Sequence, residues 1–320
     1  MIVTVTPNPS LDRTFDVDVL EVGEVNRAVA THVDPGGKGI NVSRALAAHG
    51  VPTRAVLPTG GPDGAELMAL LDELALPARA VPVAEGTRSN VAVVDAAGAT
   101  TKVNAAGPRL REAEVGDLVA AVEQELDRAT GLVLAGSLPR GAGADLYTRL
   151  VDAAAARGVP TSVDASGDVL RVVVAHGGTA LLKPNLEELG EILGELPRSV
   201  DEIVAGARAV LARGHGTVLV SLGADGALLV TPTQSWWAGG DPVVPRSTVG
   251  AGDCTLAGYL ATDGEPAERL RAAVAWGRAA VALPGSAIPG PQDLDPDAVR
   301  VVAEPSPAAL PAALAATHSA

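Results

Sequence analysis

The sequence predicts an α/β fold in which helices cover a mainly parallel sheet, with a small β layer over one end. Three observations carry this. Short apolar segments alternate with Ala/Leu-rich stretches of helical length, the order that βα units produce. Several of those stretches stop at a glycine, Gly50 after His49, Gly158 after Arg157 and Gly214 after Arg213, as left-handed helix caps do. Two segments, Asp12–Val33 and Arg88–Asn104, break the alternation with β-branched residues and no helical period.

In chain order, Ile2–Thr6 is a short apolar run and reads as the first strand. The irregular segment Asp12–Val33 follows, then a glycine-rich turn and a helix over Gly39–His49. A strand over Thr53–Pro58 and a helix over Ala65–Leu74 complete a βα unit. The second irregular segment pairs Asn90-Val-Ala-Val-Val with Thr100-Thr-Lys-Val across a turn at Ala96–Gly98, a hairpin signal. It is a peripheral hairpin or a lid over a site, and position alone does not choose. Helices are expected over Val115–Arg128, Ala144–Arg157, Leu186–Leu193, Val200–Arg213, Ala251–Ala261 and Pro266–Leu283. Strands are expected over Gly131–Ala135, Pro160–Asp164, Ala180–Leu182, Thr217–Ser221 and Ala227–Thr231. The joints between them are short, as βα connections are. One domain over 1–303 is expected, followed by a Pro/Ala-rich tail over 304–320 that contains Pro305, Pro307 and Pro311.

Composition narrows the function class. The chain has 320 residues, 47% apolar and 19% charged, enough apolar side chain for a sizeable core and too little charge for a disordered chain. A net charge of −14 argues against nucleic acid as the partner. Cys254 is the lone cysteine, which excludes an intrachain disulfide and a Cys-based zinc site. The opening MIVTVTPNPS lacks the basic-then-apolar pattern of a secretory signal, and no apolar run reaches the ~18 residues of a membrane span. The expectation is a cytoplasmic enzyme without a membrane partner. Its five histidines show no metal-ligand spacing. The lysines are only Lys38, Lys102 and Lys183, and two of them stand in Gly/Pro-rich turns, which raises the question of what they bind.

The strongest motif is STVGAGDCTLAGYL over 247–260. Two glycines two apart, an acid and a helical stretch place backbone N–H groups at the positive end of a helix, where phosphate oxygens are well held. Asp253 either complements the helix dipole or stands as a general base beside the phosphate nest; spacing leaves these even. No GK[ST] follows, so this is not a Walker A loop. In DPGGKGINVSRALAAHG, three glycines around Lys38 allow close backbone approach, Asn41 lies in the first helical turn, and Lys38 is a phosphate partner or a solvated turn lysine. In KPNLEEL, Asn185 and Glu188 are three apart; they form a capping box, the reading that spacing favours, or position a hydrated magnesium, and both can hold together. GSLP after a strand, SLGADG between two strands, and Asp12 after TPNPS are smaller signals. Together these polar, glycine-bearing loops, mostly at carboxyl ends of strands, describe the ligand crevice of an open α/β sheet.

Taken jointly, TPNPSLD, GGKGIN, GTRSNV, GSLP, KPNLEEL, SLGADGAL and STVGAGD, in this order and over Ile2 to about Pro289, resemble the ribokinase-like (PfkB) carbohydrate kinases, and within them the bacterial 1-phosphofructokinases. The resemblance implies a ribokinase-like three-layer α/β/α sandwich, a small β-sheet lid from about 12–33 and 88–104, and ATP with Mg2+ as phosphoryl donor. It implies Asp253 as catalytic base and the amides of Gly250, Ala251 and Gly252 as an anion hole. Asp12, Gly37, Lys38, Asn41, Arg88, Asn90 and Ser137 fall on sugar-phosphate positions. Lys183, Asn185, Ser221, Gly223, Gly226 and Thr248 fall on nucleotide positions, and Asn185 with Glu188 on the metal-organising motif, acting through water. The chain departs from the pattern at Cys254, where serine is common, and at Arg140, where the residue is usually small; Arg140 is read as solvent-facing. The implied partners are ATP and a ketohexose phosphate, with a homodimer through the lid. The implied reaction is phosphorylation of fructose 1-phosphate at its C6 hydroxyl to fructose 1,6-bisphosphate. A 6-phosphofructokinase or tagatose-6-phosphate kinase is the rival within the class, and a catalytically silent sugar-phosphate sensor the rival outside it.

Overall fold

The computed structural model describes residues 1–306. Strand β1 (Ile2–Val5) is the apolar opening run; it lies between β4 (Thr53–Thr59) and β8 (Gly131–Ala135) and is parallel to both. Beyond β4 comes β5 (Ala78–Pro82). Beyond β8 come β9 (Thr161–Asp164), the two-residue β10 (Leu181–Leu182) and β11 (Thr217–Ser221), all parallel. An antiparallel meander of β12 (Ala227–Val230), β13 (Ser235–Gly239) and β14 (Arg300–Ala303) closes this edge, so the ten-stranded sheet is mixed rather than wholly parallel.

Both faces of the sheet are covered, and the strand sequences show why. Along β8, Leu132 and Leu134 enter one core while Val133 and Ala135 enter another. The first core packs under α3 (Glu112–Leu126), α4 (Leu146–Ala155), α5 (Gly167–His176), α6 (Leu186–Leu193) and α7 (Val200–Leu211). The second lies under α1 (Lys38–Ala48), α8 (Ala251–Ala261) and α9 (Pro266–Val281), and α2 (Gly61–Glu73) extends that layer. Strands buried on both faces read as continuous apolar runs, as β1 does. The architecture is the expected α/β/α sandwich.

A separate four-stranded sheet, ordered β3-β2-β6-β7, is built from β2 (Ser10–Val17), β3 (Ala30–Gly36), β6 (Arg88–Asp95) and β7 (Thr100–Val103). The two segments without helical period supply it. Strands β6 and β7 form the expected hairpin, and β2 runs parallel to β6 with Asp12 opposite Asn90.

Four elements differ from the sequence reading. Strand β5, helix α5, and strands β13 and β14 were not among the expected elements. Helix α2 begins at Gly61 rather than Ala65, because Pro62 is accommodated in its first turn. At the expected tail boundary, Glu304 is pinned: its carboxylate accepts from the Ser235 amide at 2.9 Å and hydroxyl at 3.1 Å. The rest of that tail, 307–320, lies outside the described residues.

The functional geometry follows from strand order. The chain runs outward from β1 through β4 to β5, then returns on the other side of β1 with β8. Ligands of open α/β sheets bind outside the carboxyl ends of strands at such a reversal.

Candidate active site

At that reversal lies a cleft of about 500 Å³. The ends of β1, β8, β9 and β11 contribute Thr6, Ser137, Asp164 and Ser221, and the small sheet contributes Ser10, Asp12, Arg88 and Asn90. Every sugar-phosphate residue expected from the sequence, Asp12, Gly37, Lys38, Asn41, Arg88, Asn90 and Ser137, lines it. So do Lys183, Asn185, Glu188, Ser221, Thr248, Gly250, Gly252 and Asp253. Gly223, Gly226 and Ala251 do not; they line a neighbouring slot of about 430 Å³ whose other walls include Pro242, Val243, Pro245, Val274 and Val281. The polar cleft and the apolar slot share Ser221, Thr248 and Gly252.

Helix α8 brings its N-terminus to this junction. Its entry residue, Gly250, has φ 77°, a left-handed conformation that a side chain would strain. The first firm helical bond is Cys254 N–H to the Gly250 carbonyl at 2.9 Å, so the Gly252 and Asp253 amides ahead of it have no backbone partner, as at any helix N-terminus. The Ala251 amide, expected in the anion hole, makes a long 3.5 Å bond to the Thr248 carbonyl instead. Asp253 is buried, and its Oδ2 accepts from Asn41 Nδ2 at 2.9 Å. Burial and the nearby Asp164 charge push its pKa up to about 7, against the Asn41 donor and the charges of Lys38 and Lys183. A carboxyl poised there can accept a proton near neutral pH.

Opposite, the loop into α1 turns at Gly37, with φ 126°, and sends Lys38 and Asn41 into the cleft. Lys38 Nζ meets Asp164 Oδ1 at 2.6 Å, and Lys183 Nζ meets Asp164 Oδ2 at 2.9 Å. Burial alone would disfavour charge on Asp164, but the two ammonium groups outweigh it and hold its pKa below the ordinary value. Burial likewise disfavours the Lys38 charge, yet the Asp164 carboxylate keeps Lys38 protonated. The two lysines of the glycine- and proline-rich turns therefore share one buried carboxylate.

On the small sheet, Asn90 Nδ2 donates to Asp12 Oδ1 at 2.9 Å and to Ser10 Oγ at 3.0 Å, and Ser10 Oγ donates to Asp12 Oδ1 at 2.7 Å. Arg88 reaches the carbonyls of Ala105 at 2.9 Å and Asn8 at 3.0 Å. Three buried polar atoms here, Thr6 Oγ1, Asn8 Oδ1 and Arg88 Nε, have no protein partner among the described residues. Orphaned polar atoms in one wall of a cleft mark a surface completed by a polar ligand.

Asn185 and Glu188 form the capping box in full. Asn185 Oδ1 accepts from the Glu188 amide at 2.7 Å, and Glu188 Oε2 accepts from the Asn185 amide at 2.9 Å. Both also line the cleft. Burial raises the Glu188 carboxyl. No cluster of three or more His, Cys, Asp or Glu suited to a metal occurs among the described residues. One carboxylate and one amide, with Glu188 Oε1 outside the capping box, suit a magnesium ion that keeps most of its waters and takes few protein ligands.

Thr6, Asn8, Ser10 and Asp164 escaped the sequence reading. Asp164 alone had a faint signal, a carboxylate at the carboxyl end of a strand. Cys254 is fully buried, and burial with the adjacent Asp253 pushes its thiol up to about 12, which removes any case for a reactive cysteine. Arg140 lies outside the cleft, bonded to the Gly107 carbonyl at 3.0 Å and paired with Glu85 at 3.5 Å.

Comparison with known proteins gives the family. Residues 5–293 match the family described as pfkB family carbohydrate kinase. The chain is 35% identical over 299 residues to ATP-dependent 6-phosphofructokinase isozyme 2 of Mycobacterium tuberculosis, covering 92% of this chain and 88% of that protein. It is 36% identical over 267 residues to 1-phosphofructokinase of Bacillus subtilis, covering 82% and 85%. The crystal structure of Escherichia coli phosphofructokinase-2 in complex with fructose-6-phosphate superposes with a TM-score of 0.83 at 32% identity, covering 91% and 96%.

Proposed function

The chain belongs to the PfkB family of carbohydrate kinases, and from that premise we propose that it transfers the γ-phosphoryl group of ATP to the free primary hydroxyl of a fructose monophosphate, giving the bisphosphate and ADP. The observation that carries this reading is the junction of two unlike cavities. An apolar slot that suits a flat base and a polar cleft that suits a sugar phosphate meet at Gly252, within one residue of Asp253.

In this reading Asp253 accepts the proton of the attacking hydroxyl, and Asn41 holds its carboxylate in place. The amides of Gly252 and Asp253 stabilise charge on the transferred group, and Gly250 gives the chain the turn that aims them. Lys38 and Lys183 bring positive charge to the phosphates, and Asp164 keeps Lys38 protonated and holds both lysines in position. Arg88 is the remaining cation of the polar cleft and the partner we assign to the sugar's own phosphate. Asp12, Ser10 and Asn90, already bonded to one another, face the ring hydroxyls. Asn185 and Glu188 would hold the magnesium that accompanies the nucleotide, which when bound neutralises phosphate charge. Ser221, Gly223, Gly226 and Thr248 line the nucleotide side.

Fructose 1-phosphate is the form we assign, on the runs GGKGINVSRAL and STVGAGD. Fructose 6-phosphate is the second reading, because relatives named 6-phosphofructokinase isozyme 2 and 1-phosphofructokinase each match 92% of this chain, at 35% and 36% identity. The furanose explains why both fit one cleft. It carries a CH2O group on each side of the ring oxygen, so either monophosphate presents a primary hydroxyl to the base. Ring hydroxyls break this pseudo-symmetry, and a site that bonds them can reject the wrong isomer. With ATP and magnesium, kcat/KM should be at least ~10-fold higher for fructose 1-phosphate than for fructose 6-phosphate or tagatose 6-phosphate, about 1.4 kcal/mol in transition-state binding. Equal values, or a preference for either 6-phosphate, overturn the substrate and leave the kinase.

We also propose that two copies pair through the small sheet. Val19, Val22, Val25 and Val29 of the β2–β3 connection are all at least 65% exposed. Clustered exposed valines at one sheet are a candidate interface. Light scattering should give twice the 32.0 kDa chain mass, and a Val22→Asp, Val25→Asp double variant should fall to the monomer. An unchanged mass in that variant would place the interface elsewhere.

A further inference from the structure

Helix α1 contributes a second cation near Asp253. Arg44 lies one turn beyond Asn41, half-buried, and its Nη1 donates to Asn41 Oδ1 at 3.5 Å. This is its only side-chain hydrogen bond among the described residues, and no carboxylate lies within ion-pair distance of it. Burial disfavours its charge, and the more distant carboxylates of Asp34 and Asp12 oppose that effect. A half-buried guanidinium whose one direct partner is an amide oxygen invites the question of what it does there.

The amide has two ends. Asn41 Nδ2 donates to Asp253 Oδ2 at 2.9 Å, while Asn41 Oδ1 faces Arg44. A carboxylate accepts only and a guanidinium donates only, so both neighbours select the same orientation of the amide. Flipped, the amide would present its oxygen to the carboxylate and its NH2 to the guanidinium, two repulsive contacts in place of two bonds. We propose that Arg44 is a positioning residue for phosphoryl transfer: by holding the carbonyl end of Asn41, it keeps the amide NH2 directed at Asp253. The inference rests on the kinase reading above, and it adds a residue that touches neither substrate nor base.

Its consequence is a pH dependence. Asp253 is faced by Asn41 and Lys38 from α1, by Asp164 from the end of β9 and by Lys183 after β10; Cys254 adjoins it on α8. Without Arg44 the amide is free to turn, and the carboxylate loses the donor that favours its charged form. The pKa of the base then rises, and the acidic limb of kcat/KM moves to higher pH. A hydrogen bond to a charged group, about 1.5–3 kcal/mol, corresponds to a shift of roughly one pH unit or more.

Removing a cation also raises a nearby carboxyl directly, so a double-mutant cycle is needed to separate the two routes. The acidic limb of kcat/KM, which reports the free enzyme, is measured for the wild type, Arg44→Met, Asn41→Ala and the double variant. We expect Arg44→Met to move the limb up by about one unit alone and to add nothing in the Asn41→Ala background. An equal shift in both backgrounds means direct charge and overturns the inference, as does no shift in either. Should Arg44→Met be unstable, the same cycle with Arg44→Gln applies the same criteria. A wild type that phosphorylates no phosphosugar fails the kinase reading itself, an outcome distinct from both.

Discussion

Replacing Asp164 with asparagine tests how the cleft's charges support one another. Asp164 is 1% exposed and bridges Lys38 at 2.6 Å and Lys183 at 2.9 Å. In Asp164→Asn, two ammonium groups face each other across a neutral amide. Lys183, 5% exposed, has little water to compensate it, whereas Lys38, 39% exposed, can turn toward solvent. Breaking one partner of a buried pair costs about 3–5 kcal/mol, and the exposure of Lys38 argues for the lower end. About 3 kcal/mol is below the 5–15 kcal/mol stability of ordinary domains, so the variant should fold, with Tm lower by roughly 6 °C at about 2 °C per kcal/mol. The same change acts on Asp253 with a definite sign. The Asp164 charge raises the Asp253 pKa, and the lysines lower it. Removing the carboxylate leaves the lysines unopposed, so the Asp253 pKa must fall from about 7 and the acidic limb of kcat/KM must extend to lower pH. Thermal melts and a pH–rate profile read both effects. A limb that stays in place or moves up, in a folded variant, refutes the coupling between Asp164 and Asp253.

Four further outcomes are expected. Asp253→Asn should lower kcat by ~10²–10⁴-fold with ATP and sugar-phosphate binding retained by calorimetry; near-wild-type turnover would reduce Asp253 to a dipole-complementing residue. The same substitution should stabilise the protein at alkaline pH. A folded pKa raised to about 7 leaves the native state protonated where the unfolded chain is already ionised, so the wild type loses stability progressively between about pH 4 and pH 7 and the variant does not. Melts that diverge at pH 4 and coincide at pH 8 would contradict this sign. Arg88→Ala should raise KM for the phosphosugar by one to two decades and leave KM for ATP unchanged, since a charge-assisted bond is worth about 1.5–3 kcal/mol; a rise for ATP alone would put Arg88 on the other ligand. Cys254 should resist iodoacetamide in the native protein and react after unfolding, whereas rapid native labelling would contradict its burial.

What the sequence disclosed depended on whether the signal was local. The capping box of Asn185 and Glu188 and the glycine turn into helix α8 at Gly250 are short-range patterns and were legible, although the Ala251 amide expected in the nest turns to the Thr248 carbonyl. The β6–β7 hairpin was legible for the same reason, from β-branched runs around Ala96–Gly98. Asp164 was not, because its meaning lies in Lys38, 126 residues earlier, and Lys183 on another loop. Thr6, Asn8 and Ser10 likewise acquire a role only when the small sheet folds against the end of β1. Helix α5 was missed because GDVLRVVVAH is rich in β-branched valine, which packing of Leu170, Val173 and Val174 overrides. Strand β14 was missed because it is specified by pairing with a distant strand, Trp237 opposite Val302, rather than by period.

The most direct test of the account is phosphorus NMR of the wild-type protein with ATP, magnesium and fructose 1-phosphate. The account predicts a second phosphomonoester resonance, that of the C6 phosphate of the bisphosphate, growing in step with ADP and absent with Asp253→Asn. A protein that binds the sugar phosphate yet forms neither bisphosphate nor ADP would contradict it, and would make the cleft a sensor's rather than a kinase's.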